Sequence, residues 1–248
     1  TYSGVNDIAL DSSGLMAISG GDDGMVILWD IGTGEEIHRF EGHSGAVRAV
    51  AISPDGLTAI SGGFLGASQK EPGELILWDL KTGLEIRRFE GQTEAVIDIA
   101  IGPDGRSMIT SSGEVDYTGA PFQTYSLILW NIETGEVIHR FEEIDRDIPS
   151  LAISPSGSFA LTGSTDHNLY LWDMETGDQL RTIEGHADLV RTVAFSPDGR
   201  RALSGGGDGE VILWDIEKGE LLVRFDTHTS GVSDIAFSPD GRTALSVA

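Results

Sequence analysis

Cysteine is absent from this 248-residue sequence, which excludes disulfides and thiolate metal sites and suits a reducing compartment. A cytoplasmic location is therefore the expectation. Basic residues are scarce: 16 Lys and Arg stand against 40 Asp and Glu, a formal charge of -24. So acidic a chain repels phosphate backbones, so no nucleic acid is expected as a partner, and a protein or peptide with a basic face is favoured instead. The acids are scattered through turns rather than massed, so solubility is the first reason for the charge. No apolar run is long enough to span a bilayer and no stretch reads as a signal or transit peptide, so no membrane association is expected.

Catalytic signatures are missing as well. The sequence has no G-x-S-x-G elbow and no Gly-Lys-Ser/Thr phosphate loop. Asp22-Asp23-Gly24 lacks the further ligands and the closing Glu of a calcium loop. His38 and His139 occupy matching places in a repeat, and His167 follows Asp166 in a turn, so no His/Asp/Glu set has a metal-ligand spacing. Neither a cofactor nor a metal is expected, and the chain reads as a non-enzyme.

Glycine, by contrast, is abundant, with 33 residues placed mostly at turns. The stretch Arg200 to Phe225, RRALSGGGDGEVILWDIEKGELLVRF, shows why. Three apolar runs, ALS, VILW and LLVRF, are separated by a Gly-Asp-Gly turn and a Glu-Lys-Gly turn, the pattern of antiparallel strands in tight succession. Upstream, LVRTVAFSPDGR adds a strand and a Pro-Asp-Gly turn. The same four-strand unit recurs along the chain. Trp29, Trp78, Trp130, Trp172 and Trp214 mark five copies at spacings of 49, 52, 42 and 42 residues. A period near 42 with four strands per unit signals a propeller. The runs MVILW, LILW, LILW, LYLW and VILW are apolar without alternation, as strands buried on both faces require. EEIHRF, LEIRRF, EVIHRF, DQLRTI and ELLVRF mix polar and apolar positions and suit outermost strands.

Gly42-His43, Gly185-His186, the SPDG turns at Ser53, Ser196 and Ser238, and the Trp-Asp pairs together resemble the WD-repeat β-propeller family. The resemblance covers essentially the whole chain. It implies an all-β fold of five full four-stranded blades plus a two-stranded partial sixth at the C-terminus, with copies at about 1–42, 43–91, 92–143, 144–185, 186–227 and 228–248. The sixth copy has no third or fourth strand in the sequence. The chain is therefore expected to be a fragment of a longer protein, or to be completed by a second chain or by self-association.

The resemblance also assigns a structural tetrad to the fifth copy: His186, Ser204, Asp208 and Trp214, an indole-to-hydroxyl-to-imidazole-to-carboxylate chain. Ser, His and Asp invite a hydrolase reading, but an active site occurs once and this set recurs by copy. Elsewhere the tetrad decays. The first copy has Thr1 for His and the second has an insertion in place of the Asp turn. The third has Gln92, an insertion and Asn131, and the fourth has Ile144 for His. Blades two to four are expected to be held less tightly by this network than blade five.

The two long spacings arise after Ser61 and after Thr110, between second and third strands. In the family that loop lies at the top of the ring, so the two insertions should neighbour one another there. They carry Phe64, Leu65, Tyr117, Phe122 and Tyr125, expected as exposed aromatics of a binding patch. Arg48, Arg146 and Arg191 fall at the starts of first strands, by the channel mouth. They are candidates to meet an acidic group of a partner, or to pair with neighbouring Asp or Glu. The function expected is a non-catalytic scaffold that docks a protein or peptide on its top face. The alternative is a sensor or regulatory repeat domain of a larger bacterial signalling protein.

Overall fold

The computed structural model describes residues 4–64, 72–92, 94–113, 125–141, 144–226 and 228–248. Leu65, Tyr117 and Phe122 lie outside them. Among the described residues every regular element is a strand, and no helix is long and apolar enough to cross a membrane. The chain forms two compact units, Thr1–Arg140 and Phe141–Ala248.

In the first unit, β1 (Val5–Leu10), β2 (Met16–Gly21), β3 (Val26–Asp30) and β4 (Glu36–Phe40) make one antiparallel sheet. β5 (Val47–Ile52), β6 (Thr58–Phe64), β7 (Gly73–Asp79) and β8 (Glu85–Arg88) make the second. The third is β9 (Val96–Ile101), β10 (Ser107–Gly113), β11 (Tyr125–Asn131) and β12 (Val137–Phe141). In the second unit, one sheet is β13 (Ser150–Ile153), β14 (Phe159–Gly163), β15 (Asn168–Asp173) and β16 (Gln179–Glu184). The next is β17 (Val190–Phe195), β18 (Arg201–Gly206), β19 (Glu210–Asp215) and β20 (Glu220–Asp226). β21 (Asp234–Phe237) and β22 (Ala244–Val247) form a two-stranded sixth sheet. The expected all-β fold of five four-stranded blades and a partial sixth is the one observed.

Turn chemistry explains the strand boundaries. In the SPDG turns the serine hydroxyl does two jobs: Ser53 donates to Asp55 Oδ1 at 2.6 Å and accepts the Thr58 N–H at 3.0 Å. Ser196 and Asp198, then Ser238 and Asp240, repeat that geometry. After four of the five third strands an Asp accepts from the turn that follows, as Asp79 does from the Thr82 N–H at 2.7 Å. Asn131 serves equally well, taking the Thr134 N–H at 2.9 Å on its amide oxygen, because only an acceptor is needed there. A register shift recurs just before the tryptophan in the third-to-fourth pairing, at Leu28/Trp29, Leu77/Trp78, Leu171/Trp172 and Leu213/Trp214. Such bulges sharpen the twist that stacked sheets share.

The third strands are buried on both faces, β7 and β15 nearly end to end, which is why they are written without alternation. Neighbouring sheets are also tied by polar staples. His38 Nε2 lies 3.1 Å from the Lys81 carbonyl, and Arg87 donates to the Glu133 carbonyl at 3.0 Å. In the second unit Arg181 reaches the Glu217 and Lys218 carbonyls. The matching outer-strand position thus holds one blade to the turn of the next.

His167 is the one non-glycine with positive φ among the described residues, at 76°. It occupies the place that Gly24 (77°) and Gly209 (81°) hold in other copies. A side chain there costs backbone energy that glycine avoids. His167→Gly is expected to stabilise the protein by about 0.5–1 kcal/mol, seen as a rise of roughly 1–4 °C in thermal midpoint. An unchanged or lowered midpoint would show that the imidazole makes a compensating contact.

Candidate functional site

The hydroxyl-centred network is a property of every full blade. Trp29, Trp78, Trp130, Trp172 and Trp214 donate their indole N–H to Ser19, Ser61, Thr110, Thr162 and Ser204 at 2.9, 2.7, 2.9, 3.0 and 2.8 Å. In the fifth copy His186 Nε2 lies 2.7 Å from Ser204 Oγ and its Nδ1 lies 3.0 Å from Asp208 Oδ2. One tautomer satisfies all of it: the Ser204 hydroxyl donates to Nε2, and Nδ1–H donates to Asp208. Burial pushes the His186 imidazole below its ordinary range, against the pull of Asp208, so it is the neutral form that bonds. Burial pushes the Asp208 carboxyl up, but the Ala187 and Glu210 amides and His186 outweigh this and hold it below the usual carboxylate range. Ser204 is fully buried, and its oxygen already accepts the indole, so no substrate carbonyl can approach it. The set pins the Gly-His loop, the second strand and the following turn together.

His186, Asp208 and Glu210 also bring ligand-type atoms within 4.8 Å of one another. Internal partners take all three: His186 bonds Asp208 and Ser204, and Arg224 pairs with Glu210.

Copy two departs from the expectation that its network is weakened. Glu74, the second residue of β7, supplies the carboxylate that the missing Asp turn does not. Its Oε2 accepts the Ser44 N–H at 2.8 Å and lies 3.4 Å from His43 Nδ1, while Oε1 accepts from Arg88 at 3.1 Å. Arg88 in turn donates to the Gly42 carbonyl at 2.9 Å. Burial pushes the Glu74 carboxyl up, but His43 and the Ser44 amide and hydroxyl outweigh it and hold it at about 2. The sequence signal was available: Glu210 stands at the same strand position in copy five. Copy three keeps part of the chain through Gln92, whose amide donates to Thr110 at 3.1 Å. In copy four Ile144 removes the imidazole, and Asp166 is instead held by Tyr170, whose hydroxyl donates to it at 2.6 Å, and by Arg146 at 3.2 Å.

That accounts for Arg146. Its guanidinium carbon lies 4.5 Å from the Tyr170 ring centroid, and Asp145 and Asp166 flank it, so it pairs with neighbouring acids. Arg191, at the start of β17, is exposed. Arg48 is half-buried, with its guanidinium carbon 5.7 Å from the Phe64 ring centroid. Phe64 itself corrects an expectation. It is buried with Ala46 and Ala95 rather than exposed, because it closes the end of β6 over the gap between two blades. Tyr125 is half-buried and pairs across the sheet with Gly113, whose N–H donates to the Ala95 carbonyl at 3.1 Å. Phe64 packs on Ala95 and Gly113 bonds its carbonyl, so the ends of β6 and β10 meet at one residue. At that end a cavity of about 460 Å³ is lined by Asp22, Asp23, Ser44, Arg48 and Phe64, with Gly45 and Ala46.

Residues 1–30, 34–69, 135–173, 177–215 and 219–248 match the family described as "WD domain, G-beta repeat". The unmatched stretch between 69 and 135 holds most of the third sheet, whose strands and Trp130 bond repeat the others. A 53-residue stretch is 40% identical to a pre-mRNA-processing factor 19 of Caenorhabditis elegans, covering 21% of this chain and 11% of that protein. The match thus spans about a tenth of that relative's length.

Proposed function

Because the chain belongs to the WD-repeat family, whose members serve as protein-interaction scaffolds, we propose that it is a non-catalytic docking platform. Its proposed partner is a protein or peptide with a basic face, received at the end of the first unit from which both insertions leave. The observation that carries this reading is the cavity lined by Asp22, Asp23, Arg48 and Phe64. Two carboxylates beside an aromatic edge suit a Lys or Arg side chain, whose stem packs while its head is paired. Arg48, over the Phe64 ring, forms part of the same wall. A formal charge of -24 favours the encounter at low ionic strength.

The test is a peptide array of Lys- and Arg-bearing sequences with charge-reversed controls, read by fluorescence anisotropy. Basic peptides are expected to bind selectively, and the Asp22→Asn/Asp23→Asn double variant is expected to lose about tenfold in affinity, or ~1.4 kcal/mol. Equal retention of acidic controls, or undiminished binding by the double variant, would overturn the reading.

A further inference from the structure

Repeating units allow each exposed position to be compared with its counterparts, and three leucines differ from theirs. Leu15, Leu57 and Leu84 are 65%, 62% and 66% exposed. Leu15 and Leu57 close the turn between first and second strands, where the other copies hold Arg106, Ser158, Arg200 and Arg242, all exposed. Leu84 closes the turn between third and fourth strands. Its counterparts are Glu35, Glu136, Asp178 and Glu220, also exposed. The fold thus accepts a charge or a hydroxyl at each place, and leucine there meets no packing need. Exposed leucines scattered singly need no explanation, but these three are gathered at one place.

The gathering is set by the turns. The Leu57 and Leu84 carbonyls accept from consecutive residues, the Leu80 N–H at 3.0 Å and the Asp79 N–H at 2.9 Å. Leu15 accepts the Ile31 N–H at 2.9 Å in the same way, and Ser12 donates to the Pro54 carbonyl at 3.2 Å, tying the first copy's turn to the second's. This end of the first unit is opposite the cavity, since β6 runs from Thr58, beside Leu57, to Phe64. The blade that carries Leu57 and Leu84 has a neighbour on each face, with Phe40 against its Trp78 and its own Phe89 against Trp130. Their exposure is therefore a property of the repeat and not of an uncovered sheet.

The surroundings say what can cover them. At this end the first two copies carry Asp11, Asp30, Glu35, Asp55 and Asp79 against a single cation, Lys81. The Ser13 hydroxyl holds the Asp11 carboxyl below the usual carboxylate range, and the Thr33 amide does so for Asp30. The Ser53 hydroxyl and the Thr82 amide do the same for Asp55 and Asp79. These turns stay anionic at neutral pH. An apolar patch rimmed by carboxylates repels an anionic lipid surface, and a second copy would bring like charges against it.

We propose that this end of the first two blades is a second docking face, for an amphipathic basic segment of a partner protein. Aliphatic side chains of that segment cover Leu15, Leu57 and Leu84, and its lysines or arginines meet the surrounding carboxylates. The apolar contact supplies affinity and the charges supply orientation. The face works independently of the cavity at the opposite end.

The probe is a short labelled peptide of leucine and lysine in amphipathic helical order, with a scrambled peptide of the same composition as control. Each is titrated with the intact protein and read by fluorescence anisotropy. The ordered peptide is expected to bind saturably, at least tenfold more tightly than the scrambled one. Leu57→Arg/Leu84→Glu leaves the net charge unchanged and uses residue types that the repeat already places there, so it is expected to fold and to weaken the ordered peptide at least tenfold. Leu15→Ser, on the neighbouring blade, gives a second reading should the double variant lose its fold, and it too should weaken binding. Asp22→Asn/Asp23→Asn, at the other end, is expected to leave this binding unchanged. No saturable binding, equal binding of the scrambled peptide, or undiminished binding by the leucine variants would each overturn the proposal. So would a drop in molecular mass by light scattering in the leucine variants (copies meeting through this patch), or adsorption to neutral phosphatidylcholine vesicles that those variants lose.

Discussion

Glu74→Gln is expected to lower stability at pH 7 by about 2–3 kcal/mol, a fall of roughly 5–10 °C in thermal midpoint. The carboxylate is 8% exposed and bonds the Ser44 amide and Arg88, with His43 Nδ1 at 3.4 Å. Glutamine keeps the shape and one acceptor oxygen but loses the charge and turns an NH2 toward groups that themselves donate. Arg88, 43% exposed, keeps its pair with Glu85, so the cost falls on the buried hydrogen bonds to the Ser44 amide and His43. The pH dependence gives the sharper check. The folded carboxyl is held at about 2, well below the ordinary 4.5 of a free glutamate side chain. Its contribution is fully present above about pH 4.5 and is lost as pH falls toward 2. Denaturant unfolding of the two proteins between pH 7 and pH 2 should therefore give curves that converge in acid. Curves that stay parallel through that window would mean that Glu74 is not the group the Gly-His loop depends on.

The same residue marks how far the sequence could be read. Strand order, turn positions and the pairing of each tryptophan with its hydroxyl follow from local chemistry that is written out in every copy. Ser53-Pro-Asp-Gly makes its turn from its own side chains, and VILW is buried because both its faces are covered. Glu74 was missed because its partners, Ser44 and Arg88, are brought together only when the sheet is formed, 30 and 14 residues away. A tetrad defined by position in the turn overlooks a carboxylate arriving from the adjacent strand. Copy four shows the same limit. Losing the imidazole at Ile144 leaves Asp166 to be taken up by Tyr170 and Arg146, and of the two roles expected of that arginine the one seen is pairing with neighbouring acids. Phe64 read as an exposed loop aromatic because it begins an insertion. Its burial depends on Ala46 and Ala95, which immediately precede β5 and β9 and which no local pattern contains.

Gly63→Ala is expected to be more damaging still, for a reason of space and not of backbone conformation. Gly63 is absent from the positive-φ residues, so alanine could adopt its dihedrals. A Cβ there, however, would stand 2.0 Å from the Ala46 carbonyl oxygen, 3.0 Å from its carbon and 3.1 Å from Val47 Cα. All three are backbone atoms at the start of β5, and no rotamer change relieves the contact. Either β5 or β6 must shift, and with it Ala46 and Phe64, which close the gap between the blades and line the cavity. Overpacking of this kind costs about 3 kcal/mol or more, roughly 6–12 °C in midpoint. Gly32→Ala is the matched control. It changes the unfolded chain in the same way, yet its Cβ would meet only the Asp30 carboxylate, at 3.4 Å, and its midpoint should move by no more than about 1–2 °C. If the docking reading is right, the Gly63 variant should also lose affinity for basic peptides at temperatures where it remains folded, whereas the Gly32 variant should retain it. Equal midpoints for the two variants would show that β5 and β6 approach less closely than these distances require, and the cavity wall they form would have to be redrawn.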